Sequence, residues 1–283
     1  MNMRWMIFVK RMKRSERLGI ILLILAKNPN RLFTLSQLAQ QFGCAKSTLS
    51  EDMTEIKAVL ARYNLGLLET SSGASGGICY LPFRSAEENL RIVHAVCEQL
   101  SDPKRIMPGG FLYTVDLFSN PDTVHQLGMI LAQRYYEQKP DVIVTIESKG
   151  IPIGLMVAQA MGKQLVIARK ENRATEGSVV TLNYFTASSK VLSAMSLPRR
   201  ALKEGQRALI VDDFVKGGGT IRGLCDMMQE FHCDVVGTCA LIRMPSDQIQ
   251  QEGVLSLLEL EEVDVDAQKV RLRPSAWLHQ AVQ

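Results

Sequence analysis

The apolar positions in the first third of the chain repeat at helical spacing. Leu18-Gly-Ile-Ile-Leu-Leu-Ile-Leu-Ala26 follows Arg14 and Arg17, with Ser15 placed to cap a helix and Asn28-Pro29 to end it. The run imitates a signal peptide, yet Lys27-Asn-Pro29 offers no small-x-small cleavage site, and the run is too short to cross a bilayer. A buried first helix is predicted. Leu35, Leu38, Ala39 and Phe42 mark one face of a second helix from about Thr34 to Phe42. After the tight turn Gly43-Cys44-Ala45, Leu49, Met53, Ile56, Val59 and Leu60 predict a third helix from about Lys46 to Tyr63. Its first turns then present Lys46, Ser47, Thr48, Ser50 and Glu51 to solvent. Residues 67–80 read as two short strands around a Gly/Ser-rich tip.

Three helices followed by such a hairpin resemble a winged helix-turn-helix domain. A small helical protein-interaction domain has the same periodicities, so charge decides between them. Of 33 Lys and Arg in the chain, 11 fall in residues 1–82, against 5 of its 29 Asp and Glu. That stretch carries +6 and the remainder −2, which points the N-terminal part at a polyanion. Lys46, Ser47, Thr48 and Ser50, with Arg14 and Arg17, are the candidate DNA contacts, suited to base edges and phosphates in a major groove. A single winged domain makes few contacts, so a homodimer reading two half-sites is expected.

Beyond residue 82 the grammar changes. Ser85–Leu100 reads as an amphipathic helix, residues 102–110 break the pattern, Phe111–Val115 reads as a short strand, and Asn120-Pro121-Asp122 starts a helix running to about Gln138. Strand-like runs at 142–146, 165–168, 208–211 and 235–242 then alternate with helices at 152–161 and 221–231. This alternation predicts an α/β domain with a mainly parallel sheet covered on both faces, and its ligands would bind beyond the carboxyl ends of the strands.

The sharpest chemical signal is Ala208-Leu-Ile-Val-Asp212-Asp213-Phe214-Val-Lys216-Gly217-Gly218-Gly219-Thr220. Glycines let backbone N–H groups converge on a phosphate, Thr220 adds a hydroxyl, and the following helix contributes its dipole. Two carboxylates can accept hydrogen bonds from vicinal hydroxyls. This is no Walker A loop, since Gly162-Lys163 is followed by Gln164, and no dinucleotide fingerprint, since Arg222 stands where the third glycine would be.

The segment resembles the phosphoribosyl pyrophosphate (PRPP) signature of type I phosphoribosyltransferases. The resemblance implies that Asp212 and Asp213 hold the ribose hydroxyls and that Lys216, Gly217, Gly218, Gly219 and Thr220 hold the 5′-phosphate, with Phe214 also in the effector site. Glu147-Ser148-Lys149-Gly150 is similar to that family's pyrophosphate loop, and residues 169–190 match its flexible loop, with Lys170 toward the diphosphate. The base-clamping hood would come from Phe111 and Tyr113 or from the tail at 252–283. With the winged N-terminus, nearly the whole chain resembles the purine operon repressors of Gram-positive bacteria. That family resemblance implies a homodimeric repressor of purine biosynthesis and transport genes, released from operator DNA by PRPP, with Mg²⁺ carried on the diphosphate. An alarmone such as guanosine tetraphosphate is a further ligand to consider for the pocket. Catalytic transferases usually carry a small residue and Thr where this chain has Lys216 and Gly217. That departure does not by itself forbid turnover; the family resemblance implies a sensor with no obligatory cofactor and no catalytic residue, the alternative being an active xanthine/adenine-type transferase bearing a DNA-binding domain.

Composition adds exclusions. Hydrophobic residues at 46% and charged residues at 22% fit a globular protein and exclude a disordered chain or a polytopic membrane protein. The six cysteines have no zinc-module spacing and read as reduced thiols of a cytoplasmic protein. No metal site is expected. The implied organisation is an extension at 1–11, a winged domain at 12–82 and an effector-binding and dimerisation domain at 83–283.

Overall fold

The structure, a computed structural model, describes residues 12–71, 76–170, 177–186, 191–245 and 253–280. The extension at 1–11 lies outside the described residues. The chain divides into one compact unit ending at Arg84 and a second beginning at Ser85.

In the first unit, helices α1 (Arg14–Lys27), α2 (Leu35–Phe42) and α3 (Lys46–Arg62) precede strands β1 (Leu67–Ser71) and β2 (Gly77–Leu81). Thr34 starts α2 through a reciprocal cap: its hydroxyl accepts from the Gln37 amide and Gln37 Oε1 accepts from the Thr34 amide, both at 3.1 Å. At α1 the cap differs from the sequence expectation. The cap residue is Lys13, whose amide donates to Glu16 at 2.8 Å, and Ser15 lies inside the first turn. β1 and β2 pair antiparallel from Leu67↔Leu81 to Ser71↔Gly77, and Phe33 exchanges both backbone hydrogen bonds with Ile78, widening the wing. Ile21, Leu25, Leu38, Leu49, Ile56 and Ile78 make the centre of the core.

The second unit opens with α4 (Ala86–Leu100), a small hairpin of β3 (Ile106–Met107) and β4 (Phe111–Leu112), and the one-turn α5 (Val115–Phe118). The regular part follows: α6 (Pro121–Arg134), β5 (Val142–Ile146), α7 (Gly150–Met161), β6 (Gln164–Ala168), β7 (Val179–Thr186), β8 (Val191–Pro198), β9 (Arg207–Lys216), α8 (Gly219–Glu230), β10 (Asp234–Met244), β11 (Val254–Asp264), β12 (Lys269–Pro274) and α9 (Ala276–Gln280). The six-stranded sheet runs β12-β11-β10-β9-β5-β6, parallel except for the edge strand β12.

Strand alternation assigns the two faces. Ile143, Leu209, Val211, Cys239 and Leu241 join a core with α4, α6 and α7, whereas Val142, Val144, Ile210 and Ala240 join one with α8 and the β7–β8 hairpin. The chain passes from β5 outward to β6 and then returns to the opposite side of β5 as β9. This reversal opens a crevice at the carboxyl ends of β5 and β9, where open α/β sheets bind ligands.

The tail is not a hood: β11 extends the parallel sheet, and β12 and α9 close it. The edge is charged and paired. Glu259 accepts from Arg243 and Arg273 at 2.7 Å each, and Arg271 pairs with Glu262. Charge on an exposed edge opposes strand addition.

Candidate functional site

β9 continues as strand through both acids to Lys216, because β10 pairs with it from Asp234↔Arg207 to Met244↔Lys216. The sequence reading ended that strand at Val211. The consequence is chemical: Asp212 is held by ladder bonds and only 5% exposed, while Asp213 is half-buried. Beyond Lys216, Gly217 and Gly218 take φ of 73° and 75°, a left-handed pair that side-chain-bearing residues rarely adopt. They turn the chain directly into α8. The Arg222 amide makes a helical bond to Gly218 O at 2.9 Å. The amides of Gly219, Thr220 and Ile221 therefore belong to the turn that has no intrahelical acceptors.

The loop after β5 lies against the two acids of β9. The Glu147–Ser148 peptide is cis, and α7 begins at Gly150, whose bare α-carbon faces Asp212. A Cβ there would overlap Thr145 Oγ1 and stand 2.8 Å from Asp212 Oδ1. Gly150 is thus glycine because the start of α7 closes on β5 and β9 at that point. Ser148 and Lys149 are exposed beside it, and Lys216 is exposed on the far side.

Electrostatics follow from this enclosure. Burial, then the neighbouring Asp213 charge, pushes the Asp212 carboxyl well above the usual carboxylate range, with Lys170 drawing it back. Burial also raises Asp213, against the pull of Lys149. The Asp213 amide donates to Asp212 Oδ1 at 2.9 Å. The structure therefore brings Lys149, Gly150, Lys170, Asp212 and Asp213 into one neighbourhood, and the glycine turn follows directly at the end of β9.

Two participants take roles that the sequence did not assign. Glu147 accepts from Arg169 Nη1 at 3.1 Å and from the Lys170 amide at 2.7 Å, fixing the root of the segment after β6. Thr145 is fully buried under the same loop. Both roles depend on which strand lies beside β5. Residues 171–176 and 187–190 of the expected flexible loop lie outside the described residues; what is described is the β7–β8 hairpin, seated on α8 through Tyr184 against Gly223.

Phe111 and Tyr113 are not core residues. Phe111 is 72% exposed, and Gly110 beside it approaches Val265 in the turn after β11. The hairpin stands over the carboxyl end of β11, two strands from β9.

In the winged unit, Lys46, Ser47 and Ser50 are exposed on the first turns of α3, with Thr48 half-exposed. Arg17 requires correction as a DNA contact, whereas Arg14 stays exposed. Arg17 is 7% exposed and bonds Asp52 at 2.5 Å, while Arg14 reaches Asp52 at 3.2 Å and Glu55 at 3.7 Å. A fully buried carboxylate on α3 has recruited both guanidiniums, so they join α1 to α3.

Comparison with known proteins follows the same division. Residues 13–82 match the family described as bacterial purine repressor, N-terminal, and residues 116–274 match the phosphoribosyl transferase domain family. The purine biosynthesis transcriptional activator PurR of Lactococcus lactis is 36% identical over 255 residues, covering 90% of this chain and 94% of its own. The purine biosynthesis transcriptional repressor PurR of Bacillus subtilis is 34% identical over 267 residues, 94% of each chain. This chain belongs to that family of purine biosynthesis transcriptional regulators. The second unit also superposes on the adenine phosphoribosyltransferase of Thermoanaerobacter pseudethanolicus with a TM-score of 0.51 at 19% identity, over 58% of this chain and 98% of that one. The fold is thus a winged-helix domain joined to a phosphoribosyltransferase-type α/β domain, and the resemblance drawn from Asp212–Thr220 and the N-terminal helices holds. Within this regulator family the Asp-Asp-glycine turn lies inside the segment matched to the phosphoribosyl transferase domain, and the first unit is the repressor-type domain. Among the described residues no helix is long and apolar enough to cross a membrane, and no three acidic, His or Cys side chains are grouped to hold a metal.

Proposed function

We propose that the chain is a homodimeric repressor of purine biosynthesis and transport genes whose second domain senses PRPP. The observation that carries the reading is the convergence of Asp212, Asp213, the Gly217–Thr220 turn and the Lys149–Gly150 loop at the crevice between β5 and β9. Vicinal carboxylates suit the ribose hydroxyl pair, the turn suits the 5′-phosphate, and Lys149 and Lys170 suit the diphosphate, with Mg²⁺ arriving on that diphosphate. Lys216 adds a fixed charge that retains a polyphosphate ligand. Operator contacts fall to Lys46, Ser47, Thr48 and Ser50 on α3.

Control requires that PRPP favour a state with lower operator affinity; a coupling of about 1–3 kcal/mol changes affinity roughly 5–150-fold. The test is binding to labelled purine-operon promoter DNA at fixed salt, with and without PRPP and Mg²⁺. Relief by PRPP, but not by ribose 5-phosphate at matched ionic strength, is the expected result. Asp212→Ala should bind DNA normally and ignore PRPP; a normal response from that variant would remove the site assignment. Guanosine tetraphosphate enters as a competitor.

Two other readings have specific support. The Lactococcus relative is named an activator, and a reporter that falls rather than rises on deletion of the gene would reverse the sign of control. The transferase-type fold supports catalysis, which base-dependent release of pyrophosphate would reveal.

A further inference from the structure

Thr145 occupies the fourth position of β5 and is 0% exposed. Its methyl packs beneath α7, where a Cβ at Gly154 would lie 3.3 Å from Thr145 Cγ2. Its hydroxyl has no hydrogen-bond partner. That hydroxyl and Asp212 Oδ1 both crowd the single point beside the Gly150 α-carbon that a Cβ would occupy. A buried hydroxyl without a partner is a cost that valine, of nearly the same shape, would avoid. The packing of β5 against α7 gives no reason for threonine; the direction of the hydroxyl does.

We propose that Thr145 is a positioning residue for Asp212, its hydroxyl donating to the carboxylate that grips the ribose of the effector. The inference rests on the PRPP reading of the site and names a contact which that reading does not require. The other groups facing Asp212 leave this role open. Asp213, next in β9, gives its amide to Oδ1, and its carboxylate accepts from the protonated Asp212 carboxyl, so it offers the charged form of Asp212 no side-chain donor. Lys170 after β6 acts through its charge, whereas Tyr184 from β7, bonded to Ser193, and Cys239 from β10 couple to Asp212 as further acids. Lys149 acts on Asp213. Thr145 offers an unbonded, buried hydroxyl beside this carboxyl, and the bond forms as Asp212 takes up the charged form to accept the ribose hydroxyls. Without that donor the carboxyl charges less readily, so affinity should fail at a higher pH as the solution is acidified.

The test is calorimetric titration of the full chain with Mg²⁺ and PRPP from pH 6 to 8.5, with thermal melts of each variant. Thr145→Val should melt no lower than wild type yet bind roughly tenfold or more weakly, since a hydrogen bond to a charged group is at stake. Its affinity should also fall off at higher pH than wild type. Thr145→Ser should restore affinity and pH profile. Unchanged affinity and profile in Thr145→Val, or an equal loss in Thr145→Ser, would overturn the assignment while leaving the PRPP site standing. Should wild type not bind PRPP, or should Asp212→Asn bind it as wild type does, the site reading fails and this inference with it.

Discussion

Asp212 is a carboxyl group enclosed before its ligand arrives. Burial and the Asp213 charge favour its protonated form, so its folded value lies above the roughly 3.9 of an unfolded aspartate. The folded state then holds a proton that the unfolded chain has released. The stability this contributes is present in acid and is lost as pH rises from about 4 through the folded value. Asp212→Asn cannot titrate. In the absence of ligand it should melt a few degrees above wild type at neutral pH, and the difference should shrink toward pH 4; thermal melts across that range check it. The same variant should lose its response to PRPP. A site that becomes more stable on removal of its charge is one whose charge serves binding.

At the scale of elements, the winged unit is joined by an ion pair where DNA contacts were expected. α1 is apolar along most of its length, so spacing alone could not say which way Arg17 turns. The signal was on α3. Asp52 lies between Leu49 and Ile56 on the buried face, and a carboxylate at such a position requires a cation. Asp52→Ala leaves Arg17 buried without its partner and should cost about 3–5 kcal/mol, enough to unfold much of a unit this small. Operator binding should then be lost although neither residue touches DNA, and circular dichroism should show the loss of helix. The Arg17→Met/Asp52→Leu pair should recover most of the stability, because apolar replacement of a buried ion pair is often neutral. Normal operator binding by Asp52→Ala would contradict this account.

For the whole molecule, two units with separate cores predict separable responses. A ligand bound at a hundred times its Kd stabilises its own unit by about 2.7 kcal/mol. For a domain of roughly 200 residues that corresponds to a rise of about 5–10 °C. Scanning calorimetry with Mg²⁺ and PRPP should show this rise in the transition of the phosphoribosyltransferase-type unit, and Asp212→Asn should abolish it. A rise that survives in that variant would place the ligand elsewhere.

Much of this was legible before any coordinates. Helical spacing delimited α1 to α3, and the run from Ala208 to Thr220 carried its chemistry because strand, acids, glycines and helix start are consecutive. The expected DNA-facing residues Lys46, Ser47 and Ser50 are exposed for the same local reason, lying on the polar side of a helix whose apolar side is obvious. Long-range neighbours were not legible. The continuation of β9 through both acids depends on pairing with β10, and the tail reads as a possible hood until β11 finds β10. Arg17 reads as a surface cation until Asp52 approaches from another helix. Local order along the chain determined the elements and the phosphate-binding turn, since turns and amphipathic faces are properties of neighbouring residues. Only the tertiary structure decided which side chains share a space, because Thr145 and Gly150 meet Asp212 through the adjacency of β5 and β9, and that adjacency is set by the packing of the whole sheet.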